Sequence, residues 1–580
     1  MEVIFNILSL MERSSFFVAL ISHFLLPFFT ASQPLSSTIV RKSEVVRLRD
    51  PNAQIQGLTY TFENGFSASS FLGIRYAKPP INELRFKPST AWSGIRDASQ
   101  FGHRCFYVIP DDYKIKPSED CLFLNVFTPK TKFKGKFNDS FPVIFYIHGG
   151  AFQTDNSGLL GDENICRYLT AKEVVVVTIN YRLQMFGFLA IDDKTPGNIG
   201  LWDQREALLW VRKNIEVFGG DVNRITVVGQ SAGSVSTDLF TLSPHTRELF
   251  SQAMMFAGTS DCTFTISNRS TIRTSAIVFA EERGFQVMPG EPPDAINRRL
   301  LKFYQNARPE DITIGWNEGS TYLAKYVPLN TPTIDGSFLP YSLKKLRTEA
   351  PKKNFITGVT EYEGLLFMGA KPNDTSPYDF VKGIMTTGLY ANNRINSTIA
   401  DDILSNFINR SLPHDSVEFY HQSTAVSLII LIIFMTLKAL SDYFFNYPTW
   451  CTLKRRAELG ENVYAYRFTY FKPGTLGNST IFKFLELPYF FGKTILPYEF
   501  VPDDRDKQKI DEFTTYLTNF VKTGDPNDKL LPKWTKFLGT DSANYFVFSQ
   551  NSTRDRTHED FGEGRFKLWD FLYKKYGLLD

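Results

Sequence analysis

Four apolar stretches organise the chain. Ser15 to Phe29 is a mostly apolar run preceded by Arg13 and followed by the small residues Ala31 and Ser32. That order of charge, apolar region and small residues predicts a secretory leader over 1–32. Pro142 to Ile147 is a short apolar run that predicts a buried strand, and it leads straight into His148-Gly149-Gly150-Ala151-Phe152. Ile225 to Val228 predicts another. It is followed by the turn Gly229-Gln230-Ser231-Ala232-Gly233 and by a breaker-free stretch, Ala232 to Phe240, that reads as a helix. Finally, Gln422 to Leu437 carries no charge, and Ala425 to Met435 is nearly all aliphatic. As a helix it would be about 24 Å long, short of the roughly 30 Å hydrocarbon core. We therefore expect a buried helix or a local error in the gene model, and no stable membrane span.

Composition sharpens this picture. Hydrophobic residues make up 43% of the chain, with 53 Phe and 26 Tyr, enough for one large core over residues 33–580. The formal net charge of +3 is small for this length, so nothing points to nucleic acid. No internal repeat or low-complexity linker interrupts the chain. Seven N-x-S/T sequons, at Asn138, Asn268, Asn373, Asn396, Asn409, Asn478 and Asn551, suit a secreted, glycosylated protein. The last residues, Gly577 to Asp580, show no retention or lipidation signal, so secretion is the expected destination.

The strand, turn and helix around Ser231 are the context a nucleophile elbow needs, because the glycines at 229 and 233 allow a turn that lifts the serine Oγ above the strand end. Alone, G-x-S-x-G is a weak signal. Its surroundings make it strong: Phe71-Leu72-Gly73-Ile74-Arg75-Tyr76-Ala77-Lys78-Pro79-Pro80, Ser118-Glu119-Asp120-Cys121-Leu122-Phe123-Leu124-Asn125, His148 to Phe152, Asn180-Tyr181-Arg182, Phe186-Gly187-Phe188-Leu189, Gly197 to Gln204 and Phe218-Gly219-Gly220-Asp221. In this order the motifs resemble the type B carboxylesterases, which include cholinesterases and the non-catalytic neuroligins. The resemblance implies an α/β-hydrolase fold, a mostly parallel mixed sheet with helices on both faces.

It also implies roles. Ester hydrolysis by serine requires a nucleophile, a base, an acid that orients the base, and donors for the oxyanion. Ser231 matches the nucleophile. The oxyanion donors are expected to be the N–H groups of Gly149, Gly150 and Ala232. Glu363, in Thr360-Glu361-Tyr362-Glu363-Gly364, matches the acid, with Glu361 as the alternative. Cys105 and Cys121 match the family's first disulfide. Cys262 matches the start of a second, but the stretch Arg283-Gly284-Phe285 offers no partner, so Cys166, Cys262 and Cys451 read as buried small hydrophobes. Arg85 with Glu119, and Arg182 with Asp203, resemble the family's buried ion pairs. Choline-binding features are not evident, since the loop from Cys105 to Cys121 lacks tryptophan and residue 230 is glutamine. Neither a cofactor nor a metal is expected.

The base departs from the pattern. The family's histidine precedes an E-(L/I)-x-(Y/F)-x-F-G segment by three residues. Here the segment reads Lys483-Phe484-Leu485-Glu486-Leu487-Pro488-Tyr489-Phe490-Phe491-Gly492, which puts Lys483 in the histidine's place. No histidine occurs between His421 and His558. The others are His23, His103, His148, His245 and His414. A Ser–Lys pair can catalyse acyl transfer when burial lowers the lysine pKa, but a carboxylate beside it holds the lysine charged. Two outcomes follow: an ester hydrolase acting on a small ester but impaired, or a non-catalytic extracellular module with a protein partner.

Overall fold

The computed structural model describes residues 38–577 except 50–52, 89–95, 108–114, 131–139, 196, 315–330, 365–376, 387–395, 406–437, 471–485, 495–499, 540–542, 551–555 and 563. The leader region, the aliphatic segment 422–437, His23, His414, His421, Lys483 and the sequons at Asn138, Asn373, Asn409, Asn478 and Asn551 lie outside the described residues.

One mixed sheet dominates. Its strands are β1 (Ile39–Arg47), β2 (Gln54–Thr61), β3 (Ser67–Arg75), β4 (Arg96–Asp97), β5 (Phe123–Pro129), β6 (Phe141–Ile147), β7 (Val175–Ile179), β8 (Gly220–Gln230), β9 (Gln252–Phe256), β10 (Asn354–Thr360), β11 (Asn462–Phe468), β12 (Tyr545–Phe548) and β13 (Arg556–His558). Their order is β1-β2-β3-β5-β7-β6-β8-β9-β10-β11-β12-β13, with β4 beside β2. From β7 through β12 every neighbouring pair is parallel, while the pairs toward either edge run antiparallel apart from β2 with β4.

The central strands are apolar along their whole length because both faces of a parallel sheet are covered. Successive side chains alternate between the two faces. Val143, Phe145 and Ile147 of β6 join one core cluster, with Leu208 and Val211 of α1 (Ile199–Asn214) and Val235 and Leu239 of α2 (Ala232–Leu242). Ile144 and Tyr146 join the other, with Leu487 and Phe490 of α3 (Glu486–Phe491) and Phe513 and Leu517 of α4 (Asp504–Thr523). This is the expected α/β-hydrolase architecture, and the observed strands contain both apolar runs singled out above. Helix α2 extends two residues past the expected stretch. It stops where Pro244 forces Ser243 into an extended conformation (ψ 131°).

Cys105 and Cys121 form a disulfide, with Cα atoms 4.9 Å apart. Cys166 and Cys451 are buried thiols. Cys262 is buried too, its Sγ accepting the Thr259 N–H at 3.4 Å. Both ion pairs are present: Arg85 Nε donates to Glu119 at 2.6 Å, and Arg182 Nε and Nη2 donate to Asp203 at 2.7 and 2.6 Å. Among the described residues no helix is long and apolar enough to cross a membrane. Asn268 and Asn396, the two sequons within the described residues, are both exposed.

Candidate active site

Strand β8 ends at Gln230 and α2 begins at Ala232, which leaves Ser231 alone to make the turn. Its backbone sits at φ 55° and ψ −120°, a region that L-residues avoid at a cost of about 1–3 kcal/mol. Surrounding contacts hold it there. The Ser231 N–H donates to Phe256 O at 2.8 Å, and Ser231 O accepts the Val235 N–H at 2.9 Å. The flanking glycines are required by close approach. A Cβ on Gly229 would lie 2.0 Å from Gly233 O, and one on Gly233 would lie 2.0 Å from Ile147 O. Those contacts draw the elbow against the end of β6. The serine itself is only 4% exposed.

The loop His148–Phe152 leaves the end of β6 beside the elbow. A Cβ on Gly149 would meet Gln230 Oε1 at 2.5 Å, Gln230 O at 2.7 Å and Ser231 Cβ at 3.2 Å, so only glycine fits here. Gly150, Ala151 and Phe152 all have positive φ (86°, 55° and 58°). Gly150 O accepts from the N–H groups of Gln153 and Thr154 at 2.8 and 3.0 Å. No described residue accepts a hydrogen bond from the N–H of Gly149, Gly150, Ala151 or Ala232. Open amides next to a nucleophile, one of them at a helix N-terminus, can hold a developing oxyanion. The open Ala151 N–H is not among the donors expected from sequence; Gly150 O, in the same trans peptide plane, is held by Gln153 and Thr154, which turns that N–H the other way.

His148 serves this loop, and its ring is occupied there. Its Nδ1 lies 3.1 Å from Gly149 O, and its ring stacks on Tyr181 at 4.5 Å. Burial is the main cause pushing its pKa down to about 4, opposed by the bond to Gly149. A carbonyl can only accept, so Nδ1 carries the proton of the neutral ring.

Glu363 enters from the third strand along. The register aligns Gln230 of β8 with Phe256 of β9, and Phe256 with Gly358 of β10, all parallel. The turn after β10 therefore leaves the sheet at the same edge as Ser231. Glu363 is fully buried there, with Oε1 accepting from the N–H of Thr360 at 2.8 Å and from its hydroxyl at 2.9 Å. The next N–H, of Gly364, donates to Ser441 Oγ at 2.8 Å. Glu361 is half-buried, its carboxylate 4.0 Å from Arg467 Nη1.

A second carboxylate approaches the same place. Glu486 opens α3 and is fully buried. The phenol of Tyr466 on β11 is held well above its ordinary pKa, by burial first and then by Glu486 and Glu363. Both acids therefore lie within electrostatic reach of one tyrosine. Helix α3 is pinned in place through Phe490 against Phe256 (5.4 Å) and Phe491 against Tyr146 (4.7 Å). Lys483 lies three residues before α3, outside the described residues.

The remaining described histidines do not serve this edge. His558 is on β13, five strands from β8, or about 24 Å at ordinary strand spacing. His245 packs against Trp202 at 4.8 Å, and His103 is exposed.

A profile of the Carboxylesterase family matches residues 42–569. The chain belongs to the carboxylesterase family. Among curated relatives, Esterase cest-33 of Caenorhabditis elegans is 36% identical over 551 residues, covering 90% of this chain and 94% of its own length. Gut esterase 1 of Caenorhabditis briggsae is 29% identical, covering 89% and 92%. Neuroligin-3 of Mus musculus is also 29% identical, covering 85% of this chain but 63% of its own length. The carboxylesterase fold is thus shared here by proteins named as esterases and by one named as a neuroligin.

Proposed function

We propose that this carboxylesterase-family chain is a secreted ester hydrolase by descent whose turnover is impaired, with Ser231 as nucleophile, Glu363 as acid and Lys483 where the base belongs. What supports the reading is the elbow, the open amides and the buried carboxylate at one edge of the sheet. Beside them stands the sequence pattern, in which the segment Glu486 to Gly492 is preceded at the base position by lysine and not histidine. A lysine near the Glu363 carboxylate is held protonated and cannot take the Ser231 proton. Gly149, Gly150 and Ala232 are the proposed oxyanion donors. The substrate class is a small carboxylic ester, and the chemistry needs no cofactor or metal.

Secretion is supported by the apolar leader pattern, by exposed sequons at Asn268 and Asn396 and by the Cys105–Cys121 disulfide. A second reading, an extracellular binding module with a protein partner, is favoured by the same lysine together with the similarity to Neuroligin-3. Purified protein assayed with p-nitrophenyl acetate and a fluorophosphonate probe tests the choice. Slow labelling of Ser231 with little turnover supports impairment. A kcat/KM on the order of 10⁴ M⁻¹s⁻¹ or more overturns it.

A further inference from the structure

Tyr181 belongs to a motif, Asn180-Tyr181-Arg182, that the four catalytic roles leave unused. It follows β7, the strand beside β6, and is fully buried. Its hydroxyl donates to His148 O at 3.0 Å and to Gly149 O at 3.4 Å, while its ring stacks on the His148 imidazole with 23° between the planes. The His148 Nδ1–H adds a second donor to Gly149 O, at 3.1 Å.

The backbone on either side of Tyr181 is clamped. Asn180 donates to His103 O and Cys121 O at 2.9 and 3.1 Å and accepts from the Ser157 N–H at 2.8 Å. The Arg182 N–H donates to the buried Asp203 at 3.1 Å. Tyr181 is therefore a fixed post, not a mobile side chain.

A trans peptide plane carries its C=O and the following N–H on opposite sides. The carbonyl of Gly149 shares a plane with the N–H of Gly150, and that of His148 with the N–H of Gly149. Drawing both carbonyls toward Tyr181 turns both amides the other way, and neither finds an acceptor among the described residues. If the 149–150 plane flipped, a carbonyl oxygen would face a developing oxyanion where an N–H is needed. Positive φ at Ala151 and at Phe152, neither of them glycine, shows that this loop departs from ordinary backbone preferences, so some contact must hold it.

We propose that Tyr181 is a positioning residue that sets the oxyanion loop, locking the His148 and Gly149 carbonyls so that the following amides stay available. The role rests on the acyl-transfer reading of Ser231 but not on the state of position 483. Burial, followed by the nearby Asp155, keeps the Tyr181 phenol well above its ordinary pKa, so it remains a donor at any pH at which the protein functions.

The test is Tyr181→Phe, which keeps the ring and its stack and deletes only the hydroxyl. Crystal structures of wild type and variant give the direct readout: the Gly149 carbonyl is expected to turn away from residue 181, or to occupy two orientations, in the variant. A Gly149 carbonyl unmoved in Tyr181→Phe overturns the proposal. The kinetic readout compares Lys483→His with Lys483→His/Tyr181→Phe on p-nitrophenyl acetate. About 100-fold lower kcat with KM within about twofold is expected, the scale of losing one oxyanion donor; an unchanged kcat also overturns the role. Should Lys483→His fail to turn over, the reading of Lys483 as the single missing part fails, while the crystal structures still decide Tyr181.

Discussion

Replacing Lys483 by histidine is the substitution that most directly probes the proposed impairment of this site. On the proposed assignment the nucleophile, the amides and the carboxylate need no repair: Ser231 holds its strained turn, and Glu363 is buried with one oxygen already fixed by two bonds from Thr360. A serine triad stripped of its base retains roughly 10³ to 10⁴ over water, from oxyanion binding and substrate binding alone. Adding a base is worth roughly 10²- to 10⁴-fold, or about 3–5 kcal/mol of barrier. Lys483→His is therefore expected to raise kcat on p-nitrophenyl acetate by at least 100-fold and to speed fluorophosphonate labelling of Ser231 in parallel. Glu363→Gln added to that variant should remove most of the gain, because the glutamine cannot stabilise the imidazolium formed when the base takes the proton. The bell-shaped or sigmoidal pH profile of a histidine base should appear in Lys483→His and be absent from wild type. Two results would refute the reasoning. One is ordinary esterase activity in wild type. The other is a gain in Lys483→His that survives Glu363→Gln, which would mean that Glu363 is not the acid.

Gly149→Ala should abolish Ser231 labelling while leaving the fold intact by circular dichroism, because its Cβ would sit 2.7 Å from Gln230 O and 3.2 Å from Ser231 Cβ; unchanged labelling would show that the loop moves freely. Cys105→Ser should lower unfolding stability by about 3 kcal/mol, the chain-entropy value for a loop of this length, read as a shift in denaturant midpoint. His148 is neutral when folded, its pKa lowered to about 4 against about 6.5 unfolded. The unfolded chain then binds the extra proton first, so this stabilisation is complete above about pH 6.5 and is lost as pH falls through about 4. Up to about 3 kcal/mol is at stake, and a slope of unfolding free energy over that window that persists undiminished in His148→Asn would count against it.

Much of the machinery was legible in the order of residues because it is local. A strand, a turn and a helix within twenty residues announce the elbow, since Gly229 and Gly233 are needed where the chain crosses itself, and Pro142 to Ile147 reads as a strand on apolar content alone. Motif resemblance extended this to Cys105 with Cys121 and to the two arginine–carboxylate pairs, contacts that spacing by itself leaves open. Periodicity says which face of a strand is buried; it does not say which strand lies next to which. Only the sheet order brings Gln230, Phe256 and Gly358 into one row, and so puts Glu363, more than a hundred residues downstream, at the edge that Ser231 occupies. The same holds for Tyr466 lying near both Glu363 and Glu486, and for the Tyr181 hydroxyl on the His148 carbonyl. Each is a contact between segments far apart in the chain, created when the packed layers close, and hydrogen bonds and burial of that kind have no period in the sequence from which to be read.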